Sequence, residues 1–416
     1  MSDVSFMEKL LDRVEVEWKA LGEVAEIKRG TSITKTSVVE GGVPVIAGGR
    51  TPAYYHNVSN RDGQTIVIAG SGAYAGFVSW WDQPIFVSDA FTVKPSEILL
   101  TRYCYHFLLN MQQQLHEFKS GGGVPHVYPR DVAPIQIPIP CPENPKKSLE
   151  IQTEIVRILD AFTAMTAELT AELNLRKKQY NYYRDQLLSF EEGEVEWKTL
   201  GQIGEFIRGK RFTKKDYVED DGIRSIHYGE IYTHYGTSTV NAVSQVRSDL
   251  AESLRYAETN DVIVASVGET IEDVGKAVAW LGDEKVAIHD DSYAIRHSLN
   301  PTYLSYCLQT ERFITEKAKH VSRGKVKRLL IDGISKVRIP IPYPSDPEKS
   351  LGEQNRIVAI LDKFDALTNS ITEGLPREIE LRQKQYEYYR DLLLSFPKFP
   401  SSGGVPEGRG GKEVSA

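Results

Sequence analysis

The chain's 416 residues suffice for two or three domains, each able to bury a core of its own. A hydrophobic share of 41% and a charged share of 26% exclude a disordered or fibrous chain. The net charge of −7 excludes a uniformly basic nucleic-acid binder, although a binding face needs only a local excess of cations.

Cys104, Cys141 and Cys307 are odd in number and far apart, which suits reduced thiols rather than a disulfide framework. The opening MSDVSFMEKLLD lacks a basic-then-apolar leader pattern, and no apolar run reaches the ~20 residues of a membrane helix. A cytoplasmic location without membrane contact is the expectation.

In chain order, the first element is EVEWKALGEVAEIKRG (15–30). TIVIAG (65–70) and PIFVSDAFTV (84–93) follow, apolar and bounded by Gly, Asp and Pro as short strands are. LLTRYCYHFLLNMQQQLHEF (99–118) has helical spacing. QIPIPCPENPKKSL (136–149) closes the unit with prolines that stop a strand and a serine suited to cap a helix. From there Ile151, Ile155, Ile158, Phe162, Met165, Leu169 and Leu173 step by threes and fours, continued by Tyr180, Tyr183 and Leu187. That is a seam of period near 3.5, on a helix reaching roughly 60 Å from Leu149 to Phe190.

Then the series begins again. EVEWKTLGQIGEFIRG (194–209) repeats the opening with ten identities in sixteen, and RIPIPYPSDPEKSL (338–351) repeats the closing stretch. DVIVASV (261–267) and KVAIHDDSYAI (285–295) suit strands, and PTYLSYCLQTERFITEKAKH (301–320) suits a helix. The second stripe runs through Ile357, Ile360, Phe364, Leu367, Ile371 and Leu375 to Tyr386, Tyr389 and Leu393, with Gly374 and Pro376 placed to interrupt it. LRKKQYNYYRDQLLSF (175–190) and LRQKQYEYYRDLLLSF (381–396) match at 13 of 16 positions. Between the EVEW and IPIP marks the contents diverge, and the second unit is longer by 23 residues. This is a tandem duplication with constant frames and varied interiors.

The expected fold is α+β: mixed α/β variable domains joined by two long helices that bury their stripes as an antiparallel coiled coil, with pseudo-twofold symmetry. The expected boundaries are 1–147 and 191–349 for the variable domains, 148–190 and 350–396 for the helices. A Pro/Gly/Ser tail at 397–416 is expected to be disordered.

Catalytic patterns are missing. GEFIRGKR (204–211) nearly matches a phosphate loop, but Arg211 stands where a hydroxyl would hold magnesium. His289, Asp290 and Asp291 are sequence neighbours, better suited to a strand end than to a metal. The Asn/Asp-Pro-Pro-aromatic motif of adenine methyltransferases and a Pro-Asp…Glu-x-Lys nuclease core are both absent. No catalytic residue, metal or cofactor is expected.

Binding remains. Lys/Arg and Asp/Glu balance at nine each in 20–140 and twenty each in 199–342, so any cationic face is local. The first unit offers Lys28, Arg29, Lys35 and Arg50, with Tyr54, Tyr55, Ser71 and Tyr74 and the flexible SGGGVPH loop (120–126). The second concentrates Lys210, Arg211, Lys214 and Lys215 in one loop and Arg323, Lys325, Lys327 and Arg328 in another, with Tyr228 between. Such residues suit phosphate contacts and base readout, or solvated loops with no partner. Tyr180, Tyr183, Tyr386 and Tyr389 are candidates for the helix seam or a docking face.

The two divergent units, the paired QYxYYRDxLLSF segments and the TAEL-TAEL tetrads (166–173) resemble the specificity subunit of type I restriction–modification systems, over residues 1–396. They look most like the subfamily in which that tetrad is repeated. The resemblance implies that each variable unit is a target recognition domain reading one half of a split, asymmetric sequence in double-stranded DNA. It implies that the helices set the spacing and seat two methyltransferase subunits, with nuclease-translocase subunits joining for cleavage. Two other readings stay open at this point: a coiled-coil scaffold with no DNA role, and an AdoMet-dependent methyltransferase with unfamiliar motifs.

Overall fold

The structure, a computed structural model, describes residues 14–190, 194–370 and 373–396. The opening segment and the tail at 397–416 lie outside the described residues. The chain forms two compact units, one comprising residues up to Ala167 and from Leu381, the other Glu168–Glu380. Each unit therefore holds one variable domain, the first half of the long helix that follows it, and the last half of the other copy's helical segment.

In the first unit, Val16–Ala20 pairs antiparallel with Gln136–Pro140, setting Trp18 opposite Pro138. A two-stranded pairing leaves an open edge, where a residue without an N–H is tolerated. This clamp ties the two ends of the variable domain together. Between them lies a four-stranded antiparallel sheet in the order Ala25–Arg29, Ala90–Pro95, Thr65–Ala69, Val78–Trp81. All five residues of Thr65–Ala69 are buried. Ile66 and Ile68 pack with Tyr103 and Phe107 of the helix Thr101–Asn110. Val67 faces the other way, onto Ile46 and Val87 of a small second sheet and the adjoining Ile85. A continuous β-branched run is what a strand covered on both faces requires, each side chain contributing about 1.5–3 kcal/mol.

The second unit repeats this frame. Val195–Thr199 pairs with Arg338–Pro342 in the same register, Trp197 opposite Pro340. Its extra residues go to sheet edges: both of its main sheets have five strands, against four and three in the first unit.

The first helix runs unbroken from Pro145 to Leu187. The second copy is split into Pro347–Asn369 and Gly374–Leu394. Each helix start is fixed to its own variable domain by a buried glutamine. Gln152 accepts from the Leu100 N–H at 2.8 Å and donates to the Ile98 carbonyl at 3.0 Å and to Ser148 at 3.1 Å. Gln354 repeats this, accepting from the Asn300 N–H at 2.8 Å and donating to Ser350 at 3.1 Å.

Within the first unit Phe162 stacks on Tyr389 at 5.2 Å; within the second, Tyr183 stacks on Phe364 at 5.6 Å. First half meets last half in both cases, so the helices pair antiparallel. Leu159, outside the stripe read from the sequence, is fully buried, whereas Met165, inside it, is exposed.

Candidate nucleic-acid interface

In the first unit five loops meet at the ends of the two sheets. The chain leaves the edge strand at Gly30 and Thr31, whose N–H groups bond to Ala90 and Val87 at 2.8 and 2.9 Å. Ile33 N–H then reaches the Ser88 hydroxyl at 3.2 Å. Gly48 passes so close to the Ser71 carbonyl that a Cβ there would lie 2.3 Å from it. Ser71, buried, donates to Asp89 and bridges to His126 at the base of the 120–126 hairpin. Arg50 lies over Tyr74 at 5.0 Å and Phe77 at 5.4 Å, holding an exposed guanidinium against an aromatic surface.

Of the residues anticipated here, Arg50, Ser71 and Tyr74 are brought together. Lys28 and Arg29 are exposed on the edge strand and Lys35 on the turn Lys35–Ser37, with no side-chain bond to the Arg50 stack among the described residues. Tyr54 and Tyr55 sit on the strand Tyr54–His56, opposite Val45 and Pro44.

The second unit gathers its candidates around the turn His289–Asp291. Lys210 N–H bonds to the Ile288 carbonyl at 3.0 Å, and the next residue but one, Phe212, is buried against His289 at 5.0 Å. With Phe212 as an anchor, Lys210, Arg211, Lys214 and Lys215 are left exposed on either side of it. His227 lies 4.4 Å from both His289 and Tyr228. Burial, reinforced by His289, lowers the His227 pKa to about 4, so the His227 ring is neutral near pH 7. Arg328 closes the ring with an ion pair to Asp291 at 3.2 Å. Below the neighbouring loop, buried Lys317 donates to the carbonyls of Glu272 and Val274 at 2.8 and 2.6 Å, and burial lowers its pKa to about 8.

Neither alternative chemistry finds support here. His289 accepts the Asp291 N–H at 3.1 Å on Nδ1 and donates from Nε2 to the Phe212 carbonyl at 3.1 Å. Both ring nitrogens are thus committed, which leaves no imidazole lone pair for a cation although His289, Asp290 and Asp291 cluster within 4.8 Å. The stretch resembling a phosphate loop is the strand Glu205–Arg208, hydrogen-bonded to Tyr293–Arg296 rather than opening a helix.

The family model for the type I restriction modification DNA specificity domain matches residues 13–176 and 192–381. The chain belongs to that family. It is 38% identical to a type I restriction enzyme specificity subunit of Escherichia coli, over 96% of this chain and 98% of that one. It is 33% identical to a putative type I specificity subunit of Haemophilus influenzae, over 94% and 98%. A crystal structure of the type I S subunit from M. genitalium shares the fold with a TM-score of 0.57 at 16% identity, covering 94% of this chain and 98% of that one.

Within this specificity-domain frame, register relates positions that sequence reading left separate. Ser120 N–H bonds to the His126 carbonyl, and Ser322 N–H to the Arg328 carbonyl, both at 3.0 Å. The loops 120–126 and 322–328 are therefore the same hairpin. Their shared S-x-G-x-V spacing was the available signal. His126 closes the 120–126 loop read from the sequence, whereas nothing local in the sequence marks Asp89, Phe212 or His227.

On the helices, Tyr180 is buried with Arg184 over its ring at 5.6 Å, the Tyr386 hydroxyl is enclosed without a hydrogen-bond partner among the described residues, and Tyr183 and Tyr389 form the stacks described above. Tyr182 and Tyr388, which lie off the stripe, are each 59% exposed. No helix among the described residues is long and apolar enough to cross a membrane.

Proposed function

We propose that this chain is the DNA-specificity subunit of a type I restriction–modification complex, recognising DNA without catalysing the reaction itself. The domains at 1–147 and 191–349 each read one half of a bipartite, asymmetric target. The helical segments at 148–190 and 350–396 set the distance between half-sites and seat two methyltransferase subunits. Nuclease-translocase subunits complete the assembly, which works in the cytoplasm on double-stranded DNA.

One observation carries this reading: a duplicated frame keeps its clamps and helix anchors while changing the side chains at its loop ends. A pseudo-twofold frame offers two equivalent seats for identical partners, and unequal loop ends make the target asymmetric. Arg50 beside Tyr74 and the 209–215 loop supply donors suited to phosphates and guanine edges.

The test is to replace the segment between the two EVEWK marks by that of a relative, co-express the methyltransferase and sequence the methylome. One half of the methylated motif should change. Alteration of both halves would refute independent reading, and absence of any bipartite motif would refute the function.

A further inference from the structure

The two hairpins hold the same place in their units and carry different charge. Just beyond them Val127 and Leu329 are both buried, their N–H groups bonded to Gly70 and Ser266 at 3.1 and 2.9 Å. Between these fixed ends the first hairpin has Gly121, Gly123, Pro125 and His126 where the second has Arg323, Lys325, Lys327 and Arg328.

Arg328 is engaged by Asp291. Lys327 reaches only the Gly324 carbonyl, at 3.1 Å, which leaves its charge uncompensated. Arg323 and Lys325 are exposed and have no partner among the described residues. The 209–215 loop, with Lys210, Arg211, Lys214 and Lys215 all exposed, is tied to the same 288–291 turn. The first hairpin has no cation of its own. Gly121 and Gly123 adopt φ of +104° and +95°, a backbone that side chains disfavour. Nearby, Lys119 donates to the Ala73 carbonyl at 2.8 Å and Arg50 is stacked on Tyr74.

We infer that the two recognition units hold DNA unequally: hairpin 322–328 grips backbone phosphates and anchors the complex, whereas hairpin 120–126 meets the duplex as a neutral, glycine-lined element. This rests on the DNA-specificity reading above. Each phosphate neutralised by a cation adds about 0.9 to the slope of log affinity against log salt. Three uncompensated cations, Arg323, Lys325 and Lys327, therefore account for a slope of about two to three.

The experiment uses the full chain co-purified with its methyltransferase and a fluorescent mixed-sequence duplex long enough to span both units, titrated between about 50 and 200 mM salt. The triple variant Arg323→Ala, Lys325→Ala, Lys327→Ala should lower the slope by about two to three. The matching first-hairpin variant, Val124→Ala, Pro125→Ala, removes no cation and should leave the slope unchanged. The methylated motif of the hairpin variant should keep both half-sites, because phosphate contacts carry no sequence. An unchanged slope, an equal loss from the two variants, or a relaxed half-site would each overturn the unequal grip while leaving the specificity reading intact. A wild-type complex with no salt-dependent duplex binding would instead overturn that reading, and the inference with it.

Discussion

The two units solve the same packing problem differently where the helix leaves the variable domain. Tyr103 and Tyr303 occupy one position, each donating to the carbonyl of a clamp proline, at 3.1 and 3.0 Å. Three residues on, the first unit has His106, bonded to Asp160 at 2.7 Å, and the second has Tyr306, bonded to Asp362 at 2.7 Å. In the first, Arg102 also reaches Asp160 at 2.8 Å while lying over Trp80 and Tyr105 at 4.5 and 4.9 Å.

Strand register and helix alignment put Ala279, Thr302 and Ser305 at the positions of Trp80, Arg102 and Tyr105. The second unit has smaller side chains there, and on its helix side a polar cleft of about 790 Å³ is lined by Tyr180, Arg184, Lys276, Asp362 and Asp365. The difference teaches what the frame demands. The helix carboxylate must be satisfied and the glutamine anchor kept, whereas the volume between them is free to vary.

The largest effects should come from charging the aromatic seam both units share. Tyr389→Asp places a carboxylate against Phe162 at a half-buried ring, at a cost of about 1–3 kcal/mol, and Tyr183→Asp, at a ring 39% exposed, loses the stack on Phe364 at a smaller cost. Each variant should melt at a lower temperature and co-purify poorly with the methyltransferase. Tyr182→Asp and Tyr388→Asp change only exposed rings, so melting should hold while co-purification falls. Leu175 and Leu381, seven residues earlier and also exposed, extend that face in both copies. Normal co-purification of the Tyr182 and Tyr388 variants would remove these residues from the docking face.

A smaller effect separates the two carboxylate sites by pH. Burial holds His106 below its ordinary pKa. Burial would raise Asp160, but its bonds to Arg102 and His106 prevail and hold it low. Both folded-state values are depressed, so the unfolded chain binds more protons and stability is lost as pH falls, for His106 from about 6.5 downward. Tyr306, raised by burial and by its bond to Asp362, does not titrate in that range. His106→Tyr should therefore keep a bond to Asp160 and flatten the loss of stability below about pH 6.5. His227 and His297, both lowered to about 4 by burial, retain their own acid sensitivity. Thermal melts of both proteins across this range decide it, and parallel curves would show that His106 does not set the slope.

The duplication made the frame legible: clamps, buried strand runs and helix stripes each occur twice, and their periodicities are local. The candidate interface is legible only as a set of charged loops. Arg50 meets Tyr74 across 24 positions and Phe212 meets His289 across 77, and such contacts are fixed by sheet register rather than by spacing. The tyrosines show the same limit. A period of 3.5 places Tyr180 and Tyr183 on the stripe correctly, yet the exposed Tyr182 and Tyr388 carry no periodic signal of their own.

The smallest expected change concerns spacing, where the helices themselves differ. From Phe162 to Arg176 the first helix takes 14 steps, and from Phe364 to Arg382 the second copy takes 18. The surplus of four equals the number of residues between Asn369, which ends one helix, and Gly374, which begins the next. Ser370 is extended, and Gly374 sits at φ +74° with its Cβ position 2.4 Å from the Ala366 carbonyl, so only glycine fits. The surplus tetrad thus coincides with a break, and the helical arms remain matched in length.

A third TAEL inserted after Leu173 has no glycine or proline to force such a break. It should continue the helix, lengthening it by roughly 6 Å at one turn per four residues and keeping the apolar stripe nearly in phase. At about 3.4 Å per base pair, with the break in the second copy and DNA flexibility absorbing part of the shift, the unread spacer should widen by about one or two base pairs. Both half-site sequences should stay as they were. Single-molecule methylation mapping in cells carrying the two-tetrad and three-tetrad forms reads this directly, and an unchanged spacer would mean that these helices do not measure the distance.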